Sequence, residues 1–118
     1  MTNYLLIALG GSIGALIRYL IANKLEPAES YFPLNILTVN VIGCFIIGVV
    51  IAFVDSKSQF FLFFSIGLLG SFTTMSAFST QALELIINQK YLIAMSYITL
   101  TVLSCIIATV LAYYLFKT

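Results

Sequence analysis

Residues 67–80 read Gly67-Leu-Leu-Gly-Ser-Phe-Thr-Thr-Met-Ser-Ala-Phe-Ser-Thr80. Six of the eleven residues from Gly70 to Thr80 carry a hydroxyl and none a charge, yet the stretch lies inside a span, about Gln59 to Asn88, apolar enough to cross a bilayer. A helix facing lipid has no use for that composition, so these hydroxyls are expected to face a cavity or a partner. The span is also too long. As continuous helix its 30 residues would reach about 45 Å against a hydrocarbon core of about 30 Å, so it must tilt steeply or break. Gly67 and Gly70 with Ser71, Thr73 and Thr74 gather weak helix formers and backbone-competing hydroxyls near the midpoint, which places a break at Gly70 to Met75.

A break at this depth frees carbonyls and amides that must find partners in protein or water, and freed carbonyls can hold a cation such as dehydrated Na⁺. Two antiparallel copies meeting at a two-fold axis would direct carbonyls from both chains at one ion. The plainer alternative is a kink healed by Ser and Thr side chains.

Outward from this stretch, the chain is an integral membrane protein throughout. Of its 118 residues 62% are hydrophobic and 8% charged, and the mean hydropathy is +1.14. Helices are expected at about residues 4–23, 35–54, 59–88 (broken near 70–75) and 91–116, which make a single transmembrane domain over 1–118. The first span lacks a basic n-region and an obvious cleavage pattern, so it reads as a retained helix. His is absent, and Cys44 and Cys105, both inside spans, have no ligand neighbours in sequence; zinc, haem and iron-sulfur chemistry are not supported. A net charge of +1 carries no nucleic-acid signal.

Four spans put both termini and the Asp55-Ser-Lys-Ser58 loop on one side of the membrane. Lys57 and Lys117 then oppose Lys24 and Lys90, joined by Arg18 if it snorkels outward, an excess of nil or one. So even a count is compatible with insertion in both directions and an antiparallel dimer, or with one orientation set by other features. Gly10 and Gly14, with Gly11 and Ala15 one position on, give the first helix a smooth face for close packing.

Three further groups carry chemistry. Asn40, alone among aliphatic residues, either makes an interhelical hydrogen bond or points its amide into a pore. Tyr97, Thr101 and Cys105 recur every four residues and would form a polar rail. Phe78 can offer an electropositive ring edge, which with Asn40 and the hydroxyls makes a neutral donor lining suited to a small hydrated anion. Arg18 is either a structural tie to a carbonyl or an anion-gathering vestibule charge.

Three segments together resemble the fluoride channel family known as Fluc or CrcB: Gly10-Gly-Ser-Ile-Gly-Ala-Leu-Ile-Arg-Tyr19, Asn40-Val-Ile-Gly-Cys-Phe45 and Gly70-Ser-Phe-Thr-Thr-Met-Ser-Ala-Phe-Ser79. The resemblance implies an all-α membrane protein, four transmembrane helices with a break in the third, assembling as a dual-topology antiparallel dimer in the cell (plasma) membrane. It implies two fluoride pores and passive export of cytoplasmic fluoride, with no enzymatic activity. It also implies a central structural Na⁺ on the Gly70 and Thr73 carbonyls. The pore positions it implies are Asn40, Met75, Phe78, Ser79, Tyr97, Thr101 and Cys105, with Arg18 and Gln81 in vestibule or structural roles. Met75 stands where the family has its first pore phenylalanine, Gln81 where a glutamate usually follows the motif, and Cys105 where the rail usually has serine. These departures leave two assemblies open, a homodimer or a heterodimer with a paralogous subunit in which this chain is non-conducting or half-competent. A small multidrug-resistance-type proton-coupled exporter is disfavoured, because the first three spans hold no acid except Glu84 near the end of the third.

Overall fold

In the computed structural model, which describes residues 1–25 and 32–117, the chain is helical and, among the described residues, forms no strand. Helix α1 spans Thr2–Lys24 and α2 spans Leu34–Phe53. The third membrane span, Gln59–Ile87, is composite: α3 (Gln59–Phe61), a π segment (Leu62–Leu69), α4 (Gly70–Phe72) and α5 (Met75–Ile87). Helix α6 spans Tyr91–Phe116. Among the described residues four spans are therefore long and apolar enough to cross a membrane, in agreement with the reading of composition and length.

The core is thin because most apolar side chains face outward, as expected of a molecule whose solvent is lipid. What the helices bury against one another is small or polar. Helix α1 packs chiefly on the π segment and α4, burying Gly10 and Gly14. A Cβ added at Gly10 would stand 3.2 Å from the Gly67 Cα and overlap the Phe63 carbonyl, and one at Gly14 would overlap the Leu68 carbonyl. The glycine face is thus used inside the chain, against the third span. Helices α2 and α6 form the other tight pair, where Gly48 meets Thr109 and Ala112, and the Thr109 hydroxyl lies 2.9 Å from the Cys44 carbonyl.

The π segment has no counterpart in the sequence-based reading. Its i→i+5 bonding carries through to the Gly70 amide, which donates to the Ser65 carbonyl. Helical geometry then lapses for two residues, with Thr73 at φ −77°, ψ 152° and Thr74 at φ −147°, ψ 118°, both extended. Thr74 caps α5 by accepting from the Ala77 amide at 3.1 Å. The chain leaves α5 through a Schellman-like turn: Lys90 N–H donates to the Leu85 carbonyl at 2.8 Å, and Gln89 takes φ 60°.

Candidate functional site

The extended pair at Thr73 and Thr74 is held from α2. Thr74 N–H donates to Asn40 Oδ1 at 2.8 Å, and Asn40 Nδ2 donates back to the Thr74 carbonyl at 3.1 Å. This two-point clasp replaces with a side-chain amide the backbone partners that a helix would supply. It also redirects donors. The Thr74 amide, which in unbroken helix would cap the Gly70 carbonyl, goes to Asn40, and the Ala77 amide, which would cap the Thr73 carbonyl, goes to the Thr74 hydroxyl. The Gly70 and Thr73 carbonyls are thereby released from helical bonding, and both residues line a cavity of about 180 Å³ between α2 and the third span. Ser71, between them, has its carbonyl occupied by Arg18 Nε at 3.1 Å. Arg18 therefore ties α1 to the same segment.

A second cavity, about 250 Å³, shares Cys44 and Thr73 with the first and has walls from α2, α5 and α6. It brings together five of the seven expected pore residues, Asn40, Met75, Phe78, Thr101 and Cys105, along with Cys44, Thr73 and Thr74. Its described lining holds no carboxylate, ammonium or guanidinium group. Thr101 is 5% exposed and its hydroxyl is buried with no hydrogen-bond partner. In an apolar surround an unmet hydroxyl is costly. Asn40 has two N–H donors and spends one on Thr74, which leaves a second at the cavity wall. Phe78 is buried, whereas Met75 is 72% exposed.

The remaining two expected pore residues lie elsewhere. Ser79 is exposed on α5. Tyr97 is completely buried, with its ring 5.2 Å from Phe78 and edge-on to Phe32 at 5.6 Å. Its hydroxyl starts a relay whose polarity is dictated from the far end. The Ala22 carbonyl can only accept, so Asn35 must present Nδ2 to it (3.4 Å) and Oδ1 to Gln81. Gln81 then donates from Nε2 to Asn35 Oδ1 (3.1 Å) and accepts at Oε1 from the Tyr97 hydroxyl (2.8 Å). Through Gln81, helices α1, α2, α5 and α6 are joined by neutral groups, and the Tyr97 ring is fixed against Phe78. Sequence reasoning flagged Gln81 but missed Asn35, whose signal was a second amide at the start of an apolar span. It also missed Thr74 and Thr109 as individual contacts, since hydroxyls in such helices usually bond their own carbonyls.

Chemically, the described lining is neutral and includes an amide side chain, threonines, two thiols and an aromatic ring. Residues 5–113 match the family model described as CrcB-like protein, Camphor Resistance (CrcB). Similar proteins include the Fluoride-specific ion channel FluC of Shewanella pealeana, 43% identical over 97 residues, 79% of this chain and 77% of that protein. Another is the protein of the same name from Saccharophagus degradans, 40% identical over 113 residues, 92% and 85% of the two chains. A third, from Helicobacter pylori strain G27, is 36% identical over 121 residues, 97% and 92%.

Proposed function

This chain belongs to the CrcB family of multi-pass membrane proteins, and on that premise we propose that it is a passive, fluoride-selective ion channel. The observation that carries the reading is the cavity lined by Asn40, Phe78 and Thr101, whose described lining holds no fixed charge. Fluoride is small and strongly hydrated, so a path must replace its water at several modest sites and still release it. A buried lysine or arginine would bind the anion too tightly for turnover. A hydroxyl, an amide N–H and a ring edge each offer a donor without a full charge. The Gln81 relay acts one step back: it holds Tyr97, and Tyr97 holds the face of Phe78.

The assembly proposed is an antiparallel homodimer with two pores. Near-equal Lys and Arg counts on the two sides support it, as does a single chain whose cavities open on its outer surface. The Gly70 carbonyl, released from helical bonding by the Asn40 clasp, and the Thr73 carbonyl, released by the Thr74 hydroxyl cap, fit a hard monovalent cation. Two chains meeting at this segment would supply four such oxygens to one structural Na⁺, whose charge would pin the two third spans together.

Efflux from liposomes loaded with fluoride tests the reading. The purified chain is expected to release fluoride electrogenically while retaining chloride. Silence of the chain alone, relieved by a paralogous subunit, would replace the homodimer with the heterodimer. Proton-coupled uptake of organic cations would overturn the channel reading altogether. Phe78→Ile is expected to depress flux at least about tenfold more than Phe60→Ile, because Phe60 is 60% exposed and remote from the cavity lining.

A further inference from the structure

Three sulfur-bearing residues, Cys44, Met75 and Cys105, line the same cavity. Cys44 on α2 and Cys105 on α6 are free and partly buried, and both line the cavity between the two helices and α5. Their registry is locked by one side chain. Thr109 Oγ1 lies 2.9 Å from the Cys44 carbonyl and 3.1 Å from the Cys105 carbonyl, bridging the two cysteine backbones. Met75, the first residue of α5, lines the same cavity, and its unbranched side chain is 72% exposed and free to change rotamer.

We propose that Cys44, Cys105 and Met75 form a binding site for a soft univalent d¹⁰ cation, Cu(I) or Ag(I). Thiolate and thioether donors select such ions, and the described lining offers no imidazole or carboxylate to hold a harder metal. Charge balance favours a univalent ion as well. One thiol gives up its proton to solvent, its thiolate cancels the metal charge, and the second thiol and the thioether bind as neutral donors, leaving a neutral complex in a low-dielectric surround. The tie through Thr109 fixes the two cysteine backbones in advance, so the ordering cost of binding falls mainly on the Met75 side chain. The site depends on three sulfurs and a shared cavity, not on fluoride conduction.

The full chain in detergent, titrated with Ag⁺ in chloride-free buffer, tests it. One tight ion per chain is expected, with release of about one proton per ion. Cys44→Ser and Cys105→Ser should each weaken binding by about tenfold to a hundredfold, and Met75→Leu by less, since a thioether is the weaker ligand. Met95→Leu, an exposed α6 methionine outside the cavity lining, should leave affinity unchanged, and equimolar Zn²⁺ should not displace the ion. Two Ag⁺ ions per chain bound independently, or undiminished affinity in Cys44→Ser, would overturn the proposal. X-ray absorption of the silver complex of the unaltered chain removes any dependence on how the variants fold: two or three sulfur ligands are expected, and a shell of oxygen or of one sulfur would refute it.

Discussion

Asn40 and Thr101 show how two polar residues in similar settings do opposite things to stability. Asn40 satisfies both ends of the Thr74 peptide, so Asn40→Ala strands a buried N–H and a carbonyl and is expected to destabilise the fold by about 1–3 kcal/mol, read by thermal unfolding in detergent. Thr101 presents a hydroxyl that nothing in the chain meets. Thr101→Val should therefore leave thermal stability unchanged or slightly higher while lowering fluoride efflux. A large loss of stability in this variant would mean the hydroxyl is structural rather than part of the path. The amide of Asn40 was visible in sequence as a misfit in apolar surroundings, but its partner stands 34 residues away and no local pattern names it. Tyr97 teaches the complementary lesson. Four-residue spacing advances a helix by about 400°, so the face turns about 40° per step and about 80° from Tyr97 to Cys105. The expected rail divides accordingly: Thr101 and Cys105 border the cavity, and Tyr97 turns into the Gln81 relay.

The helices themselves followed from hydropathy, whereas their irregularities followed from contacts. The π segment Leu62–Leu69 is an ordinary apolar run in sequence, and it coincides with the surface on which Gly10 and Gly14 settle. Because a Cβ at Gly14 would overlap the Leu68 backbone, Gly14→Ala is expected to cost about 1–3 kcal/mol, measured as a lowered unfolding temperature, while Gly11→Ala, facing the more yielding Ser71 side chain at 3.1 Å, costs less. The α5–α6 turn gives a prediction of opposite sign. Gln89 occupies the left-handed region at the position where helices commonly end in glycine, so Gln89→Gly should stabilise the chain by about 1 kcal/mol in the same assay.

For the molecule as a whole, charge and exposure decide what must lie outside it. Of α1 only Gly10 and Gly14 are buried, so nearly all of its apolar surface awaits lipid or a second copy. The proposed antiparallel pair has a genetic test that needs no structure. Adding two lysines to the loop between α2 and α3 should bias every copy to one orientation and abolish fluoride efflux from cells expressing that variant alone. Co-expression with a variant carrying the lysines in the α5–α6 turn should restore it. Full activity of either variant alone would refute dual topology.

Composition and span length were enough to establish a helical membrane protein of four crossings, because the bilayer demands about 20 apolar residues per helix and leaves few other ways to satisfy the backbone. Motif content went further and marked Asn40, Phe78 and the 70–80 stretch as the place where chemistry is concentrated. Which groups are spent on holding the fold and which remain free to meet a ligand was settled only by packing. Hydrogen bonding is a matter of pairs, and the pairs here, Asn40 with Thr74, Arg18 with Ser71, Gln81 with Asn35 and Tyr97, cross between helices that sequence alone cannot orient. The unmet hydroxyl of Thr101 and the released carbonyls of Gly70 and Thr73 are the remainder of that accounting, and they exist only once every helix has taken its place.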